Sequence, residues 1–562
     1  MLRKVVASLL VIGLVTVVSA KQASEKIDTA VNAKIRKEGM EHSKIMWIEH
    51  MLTDVYGPRL TGSPNHEAAA KWTVDTMTSW GMKNGHLEGW DYGRDGWQNE
   101  KASGHIVAPA TMKDNLVFEV LSWTPSTNGT IVAPAVQIEL PQNPTEAELK
   151  DYFTKMAPKV SSAIVLVGPW VAPVFREVEP AKRRNDDQMK AQYNPDPNAP
   201  PAAGRGAGRG GNPAAPAGGG RGAGGNQPRE GALPAGQVQT MFDQFLIDNH
   251  VGVRINMATG ANQHGIIVAF NHRAYDVTKT VPTVVLRNED YGRIWRTLSD
   301  GTPITLEFNI VNRSYPLGRQ SYNAIAEIPG TDKKDEVVML GGHLDSWHSA
   351  TGGTDNAIGC AIMMEAVRIL QTIGAKPRRT IRVALWSGEE QGLLGSRAYV
   401  QQHFGSFENP KEPEYSKFMA YWNIDSGTGL VRGAGVFGPP EAAKVVAQFL
   451  KPWEDFKVYG ASAGSSRNPG GTDSTNFNAA GLPGIGGSQD SIEYGSHTHH
   501  TNLDTYERIL PDDVMKNATV TASLIYHLAM RDQLLPRFTK ETMPPPPGGR
   551  GGGAPAPTRN DR

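Results

Sequence analysis

The sequence predicts an α/β fold: a mainly parallel central sheet with helices on both faces, interrupted by a β-rich insertion. Three observations carry this expectation. From residue 336 onward apolar strands alternate with helices, the order that builds a sheet covered on both sides. These strands are unbroken apolar runs, as strands buried on both faces require. Ahead of them lies a region of short β-type runs, and ahead of that a helical region.

Taken in order, a helical pattern over 47–79 brackets the turn-rich stretch Tyr56-Gly57-Pro58-Arg59-Leu60-Thr61-Gly62-Ser63-Pro64. Short strands are expected over 115–121, 130–138 and 163–167, then a helix over 241–248 and strands over 251–257, 283–286 and 304–311. The alternation begins with strand 336–340 and helix 357–370, which carries a narrow polar stripe at Glu365 and Arg368. Strand 381–386, helix 393–402, strand 418–424, helix 440–450 and strand 482–485 follow. A helix over 512–530, opened by Pro511 and two aspartates, closes the unit.

Composition narrows the class. The 562-residue chain exceeds one ordinary domain, and its 57 Lys+Arg balance 57 Asp+Glu, so nucleic acid is not an expected partner. Gly and Pro crowd into 194–235 and into a tail from Pro544, segments too poor in apolar residues to fold. Arg3 and Lys4, the apolar run Val5 to Val18 and the ending Val18-Ser19-Ala20 form a secretory leader, cut after about Ala20. The run is shorter than the roughly 20 residues of a membrane span. A secreted or periplasmic chain without stable membrane insertion is therefore expected. Cys360 is the only cysteine, so no intrachain disulfide forms; it reads as a small core residue.

The chemistry sits at strand ends. His343 and Asp345 follow the first strand of the alternation, Asp355 precedes the next helix, Glu389 and Glu390 follow the second strand, and Asp425 follows the third. Open α/β sheets gather sites at the carboxyl ends of their strands, so these residues converge. His500 follows in His497-Thr498-His499-His500-Thr501-Asn502-Leu503-Asp504-Thr505. Imidazoles and carboxylates without thiolate suit a catalytic zinc. His343, Asp355, Glu390, Asp425 and His500 are more ligands than one such zinc takes, which points to two Zn²⁺ per chain. Two ions about 3.5–4 Å apart can hold a hydroxide between them.

The motifs Gly-His-Leu-Asp-Ser-Trp, Gly-Thr-Asp-Asn, Ser-Gly-Glu-Glu-Gln-Gly, Asn-Ile-Asp-Ser-Gly and His-His-Thr-Asn-Leu-Asp-Thr, in this order, resemble one zinc exopeptidase family. It contains bacterial leucyl aminopeptidases, glutamate carboxypeptidase and carboxypeptidase Q (metallopeptidase family twenty-eight). His343–Trp347, Gly57–Leu60 and the double histidine are most similar to the carboxypeptidase Q branch. The resemblance covers about 47–115 and 281–530. It implies that His343 and Asp425 bind one zinc, Glu390 and His500 the other, and that Asp355 bridges them. It further implies Glu389 as general base, Asp345 as orienter of the His343 imidazole, and a cis peptide at Asp355–Asn356. His348, His497 and His499 match no ligand position.

The same resemblance implies the domain plan: leader 1–20, catalytic unit 25–118 and 313–537, a protease-associated-like insertion 119–312 with a disordered loop 194–235, and a disordered tail 538–562. The expected activity is hydrolysis of terminal peptide bonds, with peptides as substrates and homodimerisation left open. Two alternatives are a non-catalytic receptor-like member of the fold and a glutaminyl cyclase-like acyltransferase. The direction, aminopeptidase or carboxypeptidase Q-like dipeptidase, is open too. Asp473 and Arg59 are the candidate substrate-binding residues.

Overall fold

The computed structural model describes residues 24–173, 183–193, 229–258 and 264–546. The leader, residues 194–228 of the expected loop and residues 547–562 of the expected tail lie outside the described residues.

Eight strands form the first sheet, in the order Lys83–Asp91, Gln320–Ile328, Arg379–Trp386, Lys333–His343, Phe418–Asn423, Gly484–Gln489, Val431–Phe437 and Ala461–Gly464. The middle four run parallel, and antiparallel pairings flank them. Side chains along these strands alternate between two cores, which is why the runs are apolar throughout. Leu340, Leu385 and Ala326 join a large core with the helices Ile358–Thr372 and Pro511–Met530. Met339, Trp386 and Ile325 join a smaller one with Tyr399, Phe404 and Phe477. Even the polar stripe of Ile358–Thr372 is covered. Arg368 forks onto Glu365 at 2.7 and 2.9 Å and reaches Glu38 of helix Thr29–Glu41 at 2.7 Å.

A second sheet has the order Asp114–Asn115, Gly96–Ala108, Thr305–Tyr315, Ile131–Ile138, Ile164–Val167, Val253–Met257, Thr283–Leu286 and Phe118–Val120. It starts earlier than the expected boundary at 119, because Gly96–Ala108 pairs along its length with Thr305–Tyr315. Residues 96–118 therefore belong to this unit. Nor is the unit only β: helices Glu146–Val160, Ala235–Asp248 and Asn288–Ser299 supply much of its two cores. The expected disordered stretch also ends before 235, since Arg229 pairs with Glu148 at 2.7 Å. The expected tail begins inside the fold, where Phe538 sets its edge on Phe437.

Two links, 91–96 and 315–320, run side by side between the units, tied by the Tyr92 N–H to the Arg319 carbonyl at 2.8 Å. Glycine is required where they pass the Gly62 turn. A Cβ on Gly96 would stand 1.8 Å from the Gly62 carbonyl oxygen, well inside van der Waals contact. No described helix is long and apolar enough to cross a membrane.

Candidate metal centre

Parallel register brings the expected ligands together. His343 ends its strand opposite Trp386, and Gly341 pairs with Asn423. The residues that follow Trp386 and Asn423, Glu389–Glu390 and Asp425, thus emerge at the same edge as His343. Asp355 lies in the loop before Ile358–Thr372, and His500 in the loop before Pro511–Met530. The Asp355 loop turns at Gly352, which has φ +67° and no room for a Cβ beside Ser346. Only glycine adopts that conformation freely.

Asp355 faces two imidazoles with its two oxygens. Oδ1 lies 3.2 Å from His343 Nε2, and Oδ2 lies 3.3 Å from His500 Nε2. Asp425 Oδ1 completes the first group at 3.2 Å from His343 Nε2, and Glu390 Oε2 the second at 3.0 Å from His500 Nε2. Two atoms bound to one tetrahedral zinc, each about 2.0–2.1 Å away, stand roughly 3.3 Å apart. The donor set therefore matches in spacing as well as chemistry. The Asp355–Asn356 peptide is cis.

Electrostatics support the same fit. Asp355 Oδ2 and Glu390 Oε1 are buried without hydrogen-bond partners. Burial, with the neighbouring carboxylates added, pushes Glu389 and Glu390 well above the usual carboxylate range, against the pull of His343. Burial works against Asp355 as well, but the imidazoles of His343, His500 and His499 hold it low. Burial alone lowers an imidazole; at His343 the facing Asp425, Glu389 and Asp355 win, and its pKa rises. So many buried acids without an Arg or Lys partner cost several kcal/mol each unless cations compensate them. A pair of dications would do so.

Asp345 does not act as expected. The His343 Nδ1 bonds the Asp345 backbone carbonyl at 2.9 Å, while the carboxylate stands 3.8 Å away. That carboxylate instead accepts the N–H groups of Glu389 and Glu390 at 3.2 and 3.3 Å and the Thr61 hydroxyl at 2.9 Å. Asp345 thus sets the loop that carries the base and one ligand.

Arg59 acts in the structure as a backbone clamp. It is fully buried, and its guanidinium donates to the carbonyls of Leu344, Leu52, Thr351 and Gly352 at 2.6–2.8 Å. Asp473 is also buried, bonded through Oδ1 to Ser396, with Oδ2 unpartnered. Burial raises its carboxyl to about 7 against the pull of His343. Although Asp473 precedes helix Ser474–Ala479, it does not cap it.

Of the other histidines, His348 bonds the Val120 carbonyl at 2.6 Å, and His497 Nδ1 lies 2.8 Å from Ser496 Oγ. His499 stacks on His500 at 3.7 Å, with Nε2 3.8 Å from Asp355 Oδ2. Two contributors escaped the sequence reading. Asp504 accepts the Thr354 N–H and hydroxyl at 2.6 and 2.7 Å and the Asp355 N–H at 3.1 Å. Its place inside the His-His-Thr-Asn-Leu-Asp-Thr motif was the available signal. Phe270, from the second unit, sets its ring 5.3 Å from His500 and 5.0 Å from Trp347; nothing in its local sequence marks it.

The model of peptidase family M28 matches residues 323–525. These residues form a peptidase family M28 domain. Over 265 residues, 47% of its length, the chain is 32% identical to carboxypeptidase Q of Mus musculus, covering 53% of that protein. Carboxypeptidase Q of Homo sapiens is 30% identical over 262 residues, covering 47% of this chain and 52% of its own. The chain thus spans about half the length of the curated relatives it matches. Among solved structures, a peptidase M28 precursor from Shewanella amazonensis SB2B superposes with a TM-score of 0.59 at 22% identity, covering 91% of this chain and 99% of that one. The zinc aminopeptidase BSAP from Bacillus subtilis reaches 0.50 at 14% identity, covering 89% and 98%. These two share the fold of the M28 domain and its companion unit.

Proposed function

We propose that the protein is an exported two-zinc exopeptidase that hydrolyses terminal bonds of peptides. The observation that carries this reading is Asp355, whose two oxygens face the Nε2 atoms of His343 and His500 at 3.2 and 3.3 Å. His343, Asp425 and Asp355 would hold one zinc, and His500, Glu390 and Asp355 the other. When bound, zinc supplies Lewis acidity that lowers the pKa of a water and polarises a carbonyl. Glu389, grouped with His343 and Asp425, takes a proton on its carboxylate and returns it to the leaving amine. Burial favours the protonated form that this return requires. Asp345 fixes the Glu389 backbone, and the Phe270–Trp347 wall keeps water off one side of the site. The second unit fits a protease-associated role in shaping access.

The presence of all five ligands and the base disfavours both a receptor-like and a cyclase-like member of the fold. Metal analysis of zinc-saturated protein tests the reading and should give two equivalents. One equivalent removes the bridged pair. Glu389→Gln should keep both metals and lose about 10²–10⁴ in kcat against peptides; an active variant removes Glu389 as the base.

A further inference from the structure

Residues 183–193 come from the second unit, between strand Ile164–Val167 and helix Ala235–Asp248, yet they lie on the first sheet. This arm has an apolar part and a charged part. In the apolar part Tyr193 packs on strand Val431–Phe437, where a Cβ on Gly433 would stand 2.4 Å from its ring. Met189 and Tyr193 close a small cluster with Tyr459.

The charged part meets Asp490. Arg184 donates its backbone N–H to Asp490 Oδ1 at 3.0 Å, and its guanidinium donates to the Ser488 carbonyl at 2.9 Å and hydroxyl at 3.0 Å. Arg183 donates to Asp513 at 3.1 Å. Arg432 holds both Asp490 oxygens at 3.1 and 3.0 Å and also binds the Arg184 carbonyl and Asp186. Asp490 is fully buried. A buried carboxylate needs cations and donors around it to offset its desolvation, and the arm supplies part of both.

Asp490 stands at a fork between two ligand-bearing loops. Its backbone N–H meets the Leu430 carbonyl at 2.9 Å, and the neighbouring Gln489 amide donates to the Gly427 and Gly429 carbonyls at 2.7 and 3.0 Å. Those residues belong to the loop that starts at Asp425. The approach is close, since a Cβ on Gly429 would stand 2.0 Å from the Asp490 carbonyl oxygen. In the other direction the chain runs to Tyr494, whose ring lies against Gly427 and 4.8 Å from His499. His499 in turn stacks on His500. Asp425 and His500 therefore both hang on backbone that converges at 488–490.

We infer that the arm is a positioning element of the metal centre, with Arg184 as its anchor and Asp490 as the socket. Through it the second unit sets how tightly the Asp425 and His500 loops hold metal. The inference rests on the two-zinc reading and deepens it. Asp425 serves one zinc and His500 the other, so loosening the arm weakens both together.

The test uses the full chain and three measurements: zinc affinity against a competing chelator, the urea midpoint of zinc-free protein, and hydrogen exchange of 426–430 and 491–500 without zinc. Arg184→Met should weaken both zincs about tenfold, the low end for a group that supports a ligand, and speed exchange in both loops. Arg184→Lys should recover part of each, because an ammonium cannot span all the acceptors that the guanidinium reaches. Met189→Ala is the comparison. It removes packing from the apolar part of the arm and should lower the urea midpoint, while zinc affinity and loop exchange stay at the wild-type values. Equal losses of zinc affinity in Arg184→Met and Met189→Ala overturn the proposal, because the arm then adds only general stability. Unchanged exchange in both loops of Arg184→Met overturns it as well. A wild type that binds no zinc removes the two-zinc reading; faster loop exchange in Arg184→Met but not in Met189→Ala then still supports the arm.

Discussion

Replacing Arg59 tests whether the metal site depends on a clamp buried beneath it. Three of the four carbonyls it holds, Leu344, Thr351 and Gly352, lie on the segment joining His343 to Asp355, and the fourth, Leu52, belongs to the N-terminal helical region. Arg59→Met keeps most of the volume and removes every donor. A buried acceptor left unpaired costs about 1–3 kcal/mol, so four such groups at the low end amount to about 4 kcal/mol. That is a large share of the roughly 5–15 kcal/mol that stabilises a folded chain. The loss should fall partly on metal binding, because the freed segment carries two ligands. Urea melts of zinc-free and zinc-loaded protein, with zinc titration against a competing chelator, measure both. The expected outcome is a lower midpoint in each state and weaker zinc affinity. Arg59→Lys should fall between, since one ammonium cannot span four carbonyls. If Arg59→Met melts and binds zinc like the wild type and raises only KM, Arg59 contacts substrate and the clamp is wrong.

Two further perturbations address the site's supports. Asp504→Asn places an amide where the Thr354 and Asp355 N–H groups need acceptors, and should weaken zinc affinity about 10–100-fold with little change in fold by circular dichroism; unchanged affinity would remove Asp504 as a support of Asp355. Phe270→Ala strips the ring that meets His500 and Trp347. Zinc content should stay at the wild-type value, while preference for a bulky apolar residue over glycine at the cleaved end drops roughly tenfold; an unaltered preference in a residue-by-residue peptide series would refute a substrate-facing wall.

Of the candidate ligands, His343, Glu390 and Asp425 were legible because each closely follows an apolar run with glycine nearby, and parallel strands bring such points to one edge. The strands Val431–Phe437 and Ala461–Gly464 were not legible, since their sequences Val-Arg-Gly-Ala-Gly-Val-Phe and Ala-Ser-Ala-Gly carry the small residues that weaken a β pattern. The roles of Asp345 and Arg59 escaped for another reason. Both bind backbone groups of distant loops, and a carbonyl or N–H leaves no trace in residue identity. The start of the second unit at Gly96 was hidden too, because Gly96–Ala108 contains Gln98, Asn99, Glu100 and Lys101 and reads as polar, although it spans the sheet.

This division explains why the chemistry and the specificity of the site differ in how visible they are. The five candidate ligands all lie within the M28 match, and a metal would demand particular atoms at particular spacings. Phe270 and the loop around it come instead from the second unit and set a ring beside His500. Those residues touch no metal, so nothing forces a motif upon them. Their positions follow from how the loop around Phe270 meets His500. Asn502 joins that contact through its N–H to the Ile267 carbonyl at 3.0 Å, and Ser349 through its hydroxyl to the Ala269 carbonyl at 3.3 Å. Ligand motifs therefore point to the reaction class, whereas the surroundings of His500 depend on the packing of the second unit against the first.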